Sequence, residues 1–170
     1  MGTIDHLDFL ADYQEDNRIE AKRAQGGLPH SLWETYSSFA NTLGGVILLG
    51  VAEAEDKSLY SVSLPDPQKL VDEFWLKVND PAMVSTNILK AEDVRILRNG
   101  GHSIVAIFVP RAEFRQRPVY VGQDPFFGTY YRKGEEDCRA PRHEVEAMLR
   151  DRDDPFPLDG LSRLNSTHDV

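Results

Sequence analysis

The stretch HSLWETYSSFANTLGGVILLGVA, His30 to Ala52, joins a helical pattern directly to a continuous apolar run. Leu32, Trp33, Tyr36, Phe39, Ala40 and Leu43 recur at the spacing of one helix face, which predicts a helix from about Ser31. Gly44-Gly45 ends it in the manner of a C-cap. Val46 to Ala52 carries no polar side chain and predicts one strand covered on both faces. A helix feeding straight into a buried strand is the best-defined unit of the chain.

Other segments fall into place around it. Apolar residues at Ile4, Leu7, Leu10 and Ala11 predict a short amphipathic helix over Ile4 to Tyr13. RIEAKRA alternates, with Ile19 and Ala21 to one side and Arg18, Glu20 and Lys22 to the other, as a half-buried strand does. A short strand is expected around Leu59 to Val62. PDPQKLVDEFWLKV then predicts a helix with Leu70, Val71, Phe74, Trp75 and Val78 inward. Asn99-Gly100-Gly101 marks a hairpin between two strands. RPVYV and TYYRK read as two short strands around a loop, and Pro141 to Arg150 as a last helix with Val145, Met148 and Leu149 inward. The expected class is α+β: a mixed, largely antiparallel sheet with helices packed on it. Residues 1–150 form the expected domain, and 151–170 a polar linker or tail, the linker of a longer protein in one reading.

The composition suits a soluble globular chain: 170 residues, 41% hydrophobic and 28% charged. No apolar run nears the roughly 18 residues that cross a membrane, and the N-terminus lacks a signal peptide's order. One cysteine, Cys138, excludes an internal disulfide and fits the cytoplasm. The net charge of −9 argues against a chain that coats nucleic acid along its whole surface, but it permits a local basic face.

Three acids draw the eye. Glu20 lies on a strand's polar face, Glu15 in the loop before it, and Glu53 at the end of the buried strand. Strand ends are where an α/β sheet exposes side chains to a crevice. If the first strand pairs with Val46–Ala52, the three can converge. Converging carboxylates are held either by a divalent cation, Mg²⁺ or Mn²⁺ for oxygen-only ligands, or by nearby Lys and Arg. They can equally be a solvated rim paired with Lys22 and Arg23. Basic residues cluster in RAEFRQR (Arg111, Arg115, Arg117) and in YYRKGEEDCRAPR (Arg132, Lys133, Arg139, Arg142), each beside aromatic residues. Such pairs suit phosphate and base-stacking contacts, or else they solubilise a loop around a core tyrosine. The five histidines show no zinc-ligand spacing, Ser37-Ser38 and Cys138 lack a nucleophile-elbow context, and no phosphate-binding glycine motif is present.

Four segments together resemble the Schlafen AlbA-like domain family. Glu15-Asp16-Asn17-Arg18-Ile19-Glu20-Ala21-Lys22 is similar to its E-x-x-x-x-E-F-K opening. Ser38 to Gly45 matches its A-F-A-N-T-x-G-G helix end, the most specific of the four. Leu49 to Glu53 is similar to its apolar strand and G-V-D-D, and Tyr130 to Gly134 to its Y-x-x-R-x-G strand. The departures are Ala21 for Phe, Ser38 for Ala, Ala52 for Asp and Glu53 for Asp.

The resemblance implies an α+β nucleic-acid-binding domain of regulatory type. Lys22, Arg23, Arg111, Arg115, Arg117, Arg132 and Lys133 would then face DNA or RNA, tRNA included. It also implies an alternative, since paired Schlafen units form an RNA-cleaving cradle with three acids. Those acids map onto Glu15, Glu20 and Glu53, which would bind Mg²⁺ or Mn²⁺ with Lys22 as a phosphate contact. One unit per chain would make such a cradle a homodimer. A weaker alternative is an oligomerisation or sensor module.

Overall fold

The computed structural model describes residues 4, 7, 10–15 and 17–154, the side chains of 11, 12 and 15 excepted. Its centre is a four-stranded sheet in the order β1-β2-β6-β5, formed by β1 (Ile19–Lys22), β2 (Gly45–Leu49), β5 (Val94–Asn99) and β6 (His102–Val109). β1 runs parallel to β2, and the β2–β6 and β5–β6 pairs are antiparallel. The sheet is mixed and mostly antiparallel, as the sequence predicts.

β2 is buried along its whole length because alternate residues enter two cores. Ile47, Leu49, Val105 and Ile107 meet α2 (Leu32–Asn41) and α3 (Pro67–Val78) through Trp33, Tyr36, Phe39, Leu70 and Phe74. Val46, Leu48, Ile104 and Ala106 face Ile4, Leu10, Val51 and Leu59. Each such Val, Leu or Ile side chain contributes about 1.5–3 kcal/mol by leaving water. Asp66 caps α3 by accepting the Lys69 N–H at 3.1 Å, and Pro67 fills its first turn.

The single strand expected over Val46–Ala52 is two. β2 stops at Leu49, and β3 (Val51–Glu53) pairs with β4 (Leu59–Ser61) in a sheet of its own. The break is Gly50 at φ +84°, where a Cβ would lie 2.8 Å from the Leu64 side chain. A third sheet joins β7 (Tyr130–Lys133) to β8 (Glu136–Arg139), a strand the sequence reading did not anticipate. RPVYV contributes only isolated bridges, Val84 to Val121 and Tyr120 to Thr129. The helices thus pack around three sheets rather than on one.

The ends differ too. The first helix, α1, is Leu10–Glu15, so Glu15 closes a helix instead of lying in a loop, and Ile4 sits in a bend with its N–H on Leu59 O. α2 ends at Asn41, leaving Leu43, expected on its apolar stripe, 59% exposed. A short α4 (Pro125–Gly128) precedes β7, and α5 (Arg142–Asp153) continues past Arg150. The tail beyond residue 154 lies outside the described residues. Among those described, no helix is long and apolar enough to cross a membrane.

Candidate functional site

A cleft of about 430 Å³ follows the open side of β1. Gln14 and Asn17 line one end, Glu53, Lys57 and Leu59 the β3–β4 side, and Arg132 and Glu135 the β7–β8 side. Glu20 and Glu53, expected to converge, both line it. Alternation on β1 explains Glu20: Ile19 and Ala21 pack against the second core, which turns Glu20 the other way, toward α2 and β7. The side chain of Glu15 lies outside the described residues.

Glu20 is held by the chain's own cations. Arg132 Nη2 donates to Glu20 Oε1 at 2.9 Å, and Lys22 Nζ stands 3.8 Å from Oε2. Arg132 also donates through Nη1 to Asp137 Oδ1 at 2.7 Å, and its guanidinium lies over the Phe39 ring, 4.9 Å from the centroid. Asp137 in turn accepts the hydroxyls of Thr35 and Ser38, each at 2.6 Å. The result is one chain of charge-assisted bonds from β1 through β7 and β8 to α2. Arg132 is only 5% exposed within it. Among the described residues no three His, Cys, Asp or Glu side chains are placed to hold a metal ion.

The other expected contacts fall into two sets. Lys22 is 11% exposed and donates to Ser31 Oγ at 3.0 Å, at the start of α2. Arg23, Arg111, Arg115 and Lys133 are exposed at the surface. Arg23 reaches Tyr60 OH at 3.0 Å, and Arg115 lies over Phe114 at 4.8 Å. Arg117 belongs to a loop whose carbonyls, on Gln116, Arg117 and Pro118, accept from Arg152 of α5. Arg111, Arg115 and Arg117 do not line the cleft.

Asp137 carries no expectation from the sequence, and Thr35, Ser38 and Arg18 carry none as site residues. Arg18 donates to the carbonyls of Leu43 and Gly44 and so fastens β1 to the α2–β2 junction. A turn signal at Gly134-Glu135 after YYRK could have exposed β8, and with it Asp137.

The four segments singled out in the sequence meet around Arg132. Its N–H donates to Thr42 Oγ1 at 2.9 Å, its side chain reaches Glu20, and Glu53 lines the same cleft. The family model described as Schlafen, AlbA_2 matches residues 15–141. The chain belongs to the Schlafen AlbA_2 family.

Two solved structures resemble this Schlafen AlbA_2 domain. One is the N-terminal domain of a Nitrosomonas europaea protein described as related to the ATP-dependent DNA helicase RecG. It is 30% identical, with a TM-score of 0.55 over 78% of this chain and 89% of that one. The other is the DIP2311 protein of Corynebacterium diphtheriae, 20% identical, with a TM-score of 0.53 over 85% of this chain and 26% of that one; it bears on the fold alone. No curated protein matches the chain. Within the Schlafen AlbA_2 domain, the matching helix end has a clear job. Ser37 and Asn41 bind the backbone of Tyr130 and Val119, and Thr42 that of Arg132, so α2 fixes β7 against the cleft.

Proposed function

We propose that this Schlafen AlbA_2 domain binds nucleic acid through exposed cations outside the acidic cleft and serves a regulatory role. One observation carries the reading. Arg23, Arg111, Arg115 and Lys133 have no carboxylate partner among the described residues, although the chain carries 28 acids. Lys22 and Arg132, by contrast, are engaged inside the fold. Exposed cations without a carboxylate partner on a net acidic chain suit a polyanion that needs local charge and is repelled elsewhere. Family membership and the RecG-related neighbour support the same direction.

The test is fluorescence anisotropy of labelled single- and double-stranded DNA and RNA, tRNA included, across a salt series. Log K is expected to fall linearly with log salt, and Arg115→Gln or Lys133→Gln to reduce the slope by about 0.7–0.9 each. Absence of binding to every strand at low salt overturns the reading.

A second reading is favoured by the placing of Glu20 and Glu53 in one cleft. In it, Glu15, Glu20 and Glu53 hold Mg²⁺ or Mn²⁺, and the domain is a ribonuclease acting as a homodimer. Bound there, the ion would polarise a phosphodiester and activate water. Glu20 would have to be shared with Arg132, and Lys22 would have to leave Ser31 to reach a phosphate. Glu53 is exposed, so Glu53→Gln should abolish Mn²⁺-dependent tRNA cleavage without lowering the melting temperature. Cleavage that survives EDTA rejects the metal, and a monomer by light scattering rejects the paired cradle.

A further inference from the structure

Phe127 is 66% exposed, although a large aromatic side chain gains most from burial. It stands on α4, a four-residue helix whose geometry is fixed from all sides. The Asp124 carboxylate accepts the Phe126 N–H at 2.9 Å, and the Asp124 carbonyl accepts the N–H groups of Phe127 and Gly128 at 3.1 and 3.0 Å. Thr129 Oγ1 donates to Pro125 O at 2.6 Å, and Gly128 O accepts from Val121 N at 2.8 Å. A Cβ at Gly128 would collide with the Val121 carbonyl, so only glycine lets the turn sit this close to the neighbouring segment. The phenylalanine pair is thus presented by a rigid support.

Cations flank that pair. The Arg139 guanidinium lies 6.0 Å from the Phe127 centroid and that of Arg142 lies 4.1 Å over Phe126. Of the acids nearby, Asp124 is turned into its own helix start, and Glu146 stands 3.4 Å from Arg142 Nε. Arg139 has no carboxylate partner among the described residues. An open ring beside an uncompensated guanidinium offers a flat apolar face and a positive charge together. A ligand with a planar ring and an anionic link answers both at once. A duplex hides its base faces in the stack; a single strand exposes them.

We propose that α4, the end of β8 and the start of α5 form a base-stacking platform for single-stranded nucleic acid. Phe127 is the stacking ring, and Arg139 and Arg142 are the phosphate contacts. This rests on the nucleic-acid reading above and assigns it a place separate from the acidic cleft. Because the support is already ordered, binding loses little conformational freedom there.

The experiment uses the full chain and a fluorescein-labelled fifteen-residue oligothymidylate or oligouridylate. Phe127→Ala is expected to weaken binding by about 5- to 100-fold, with the melting temperature unchanged, and Phe127→Trp to restore it. Arg139→Gln should weaken binding and lower the salt slope by about 0.7. Equal affinity of wild type and Phe127→Ala for the single strand overturns the platform while leaving the broader reading intact. Failure of the wild type to bind any strand overturns both. If Phe127→Ala changes the oligomeric state by light scattering and leaves affinity alone, the ring faces a second copy, and the stacking assignment falls.

Discussion

Removing the Asp137 carboxylate would leave the Thr35 and Ser38 hydroxyls and Arg132 Nη1 without their shared acceptor. Both hydroxyl residues are fully buried and Arg132 nearly so. Arg132 keeps Glu20, and the hydroxyls keep the Ser31 and Thr35 carbonyls, so Asp137→Ala is expected to cost about 1.5–3 kcal/mol, read as a lower urea midpoint at unchanged m-value. A loss under about 1 kcal/mol would mean that water replaces the carboxylate readily. Tyr36 carries a different signature. Burial pushes its hydroxyl from the ordinary 10.0 up to about 12, against the lowering effect of the Ile88 N–H. A raised pKa means that the folded state keeps its proton longer. Stability is full below about pH 10 and falls as pH rises toward 12, by up to roughly 3 kcal/mol. Urea midpoints from pH 8 to 11 should fall more steeply in wild type than in Tyr36→Phe. Equal slopes would show that the hydroxyl ionises as easily inside as outside. At this scale the sequence was partly legible. Strand alternation announces which way Glu20 points, but nothing local to DCR tells that Asp137 will meet a helix 99 residues earlier at Ser38.

Gly50 divides an apolar run into two strands that belong to different sheets. It donates to Lys22 O at 2.9 Å and accepts from Val62 N at 2.8 Å, so the pivot ties β1 to the segment after β4. Gly50→Ala combines a left-handed backbone with a clash against Leu64, and about 1–3 kcal/mol of destabilisation is expected by thermal or urea unfolding. A neutral substitution would mean that Leu64 yields freely. Helices with strong periodicity, α2 and α3, were readable because 3.6-residue spacing is a local property. The VILLGVA break was not, since an apolar run says how deeply a strand is buried and not which neighbour it pairs with. β8 was hidden for the opposite reason: its burial is slight, so EDCR shows no apolar pattern.

Three sheets share this fold, and what joins them differs from seam to seam. The large sheet is bound to α2 and α3 by an apolar core, whereas β7 meets α2 largely through hydrogen bonds. The split of basic residues follows the same division. Arg18 and Arg132 at seams are bonded into the architecture, whereas Arg23, Arg111 and Arg115 stand exposed outside the strands. Sequence clustering could not separate the two sets, because Arg132 and Lys133 are adjacent and have opposite fates. The α2–β7 seam has a consequence for how copies of this chain behave toward one another. β7 offers alternate backbone groups to β8, and the remaining ones would form a bare strand edge. Ser37, Asn41 and Thr42 occupy them: Tyr130 N, Tyr130 O and Arg132 N each find a side chain of α2 or of its C-cap residue where another strand would otherwise dock. A strand edge closed by side chains cannot be extended by a neighbouring molecule. Asn41→Ala should reopen it, and light scattering at rising concentration should then show association beyond that of the wild type. A variant that stays as dispersed as its parent would mean that the remaining hydroxyls are guard enough.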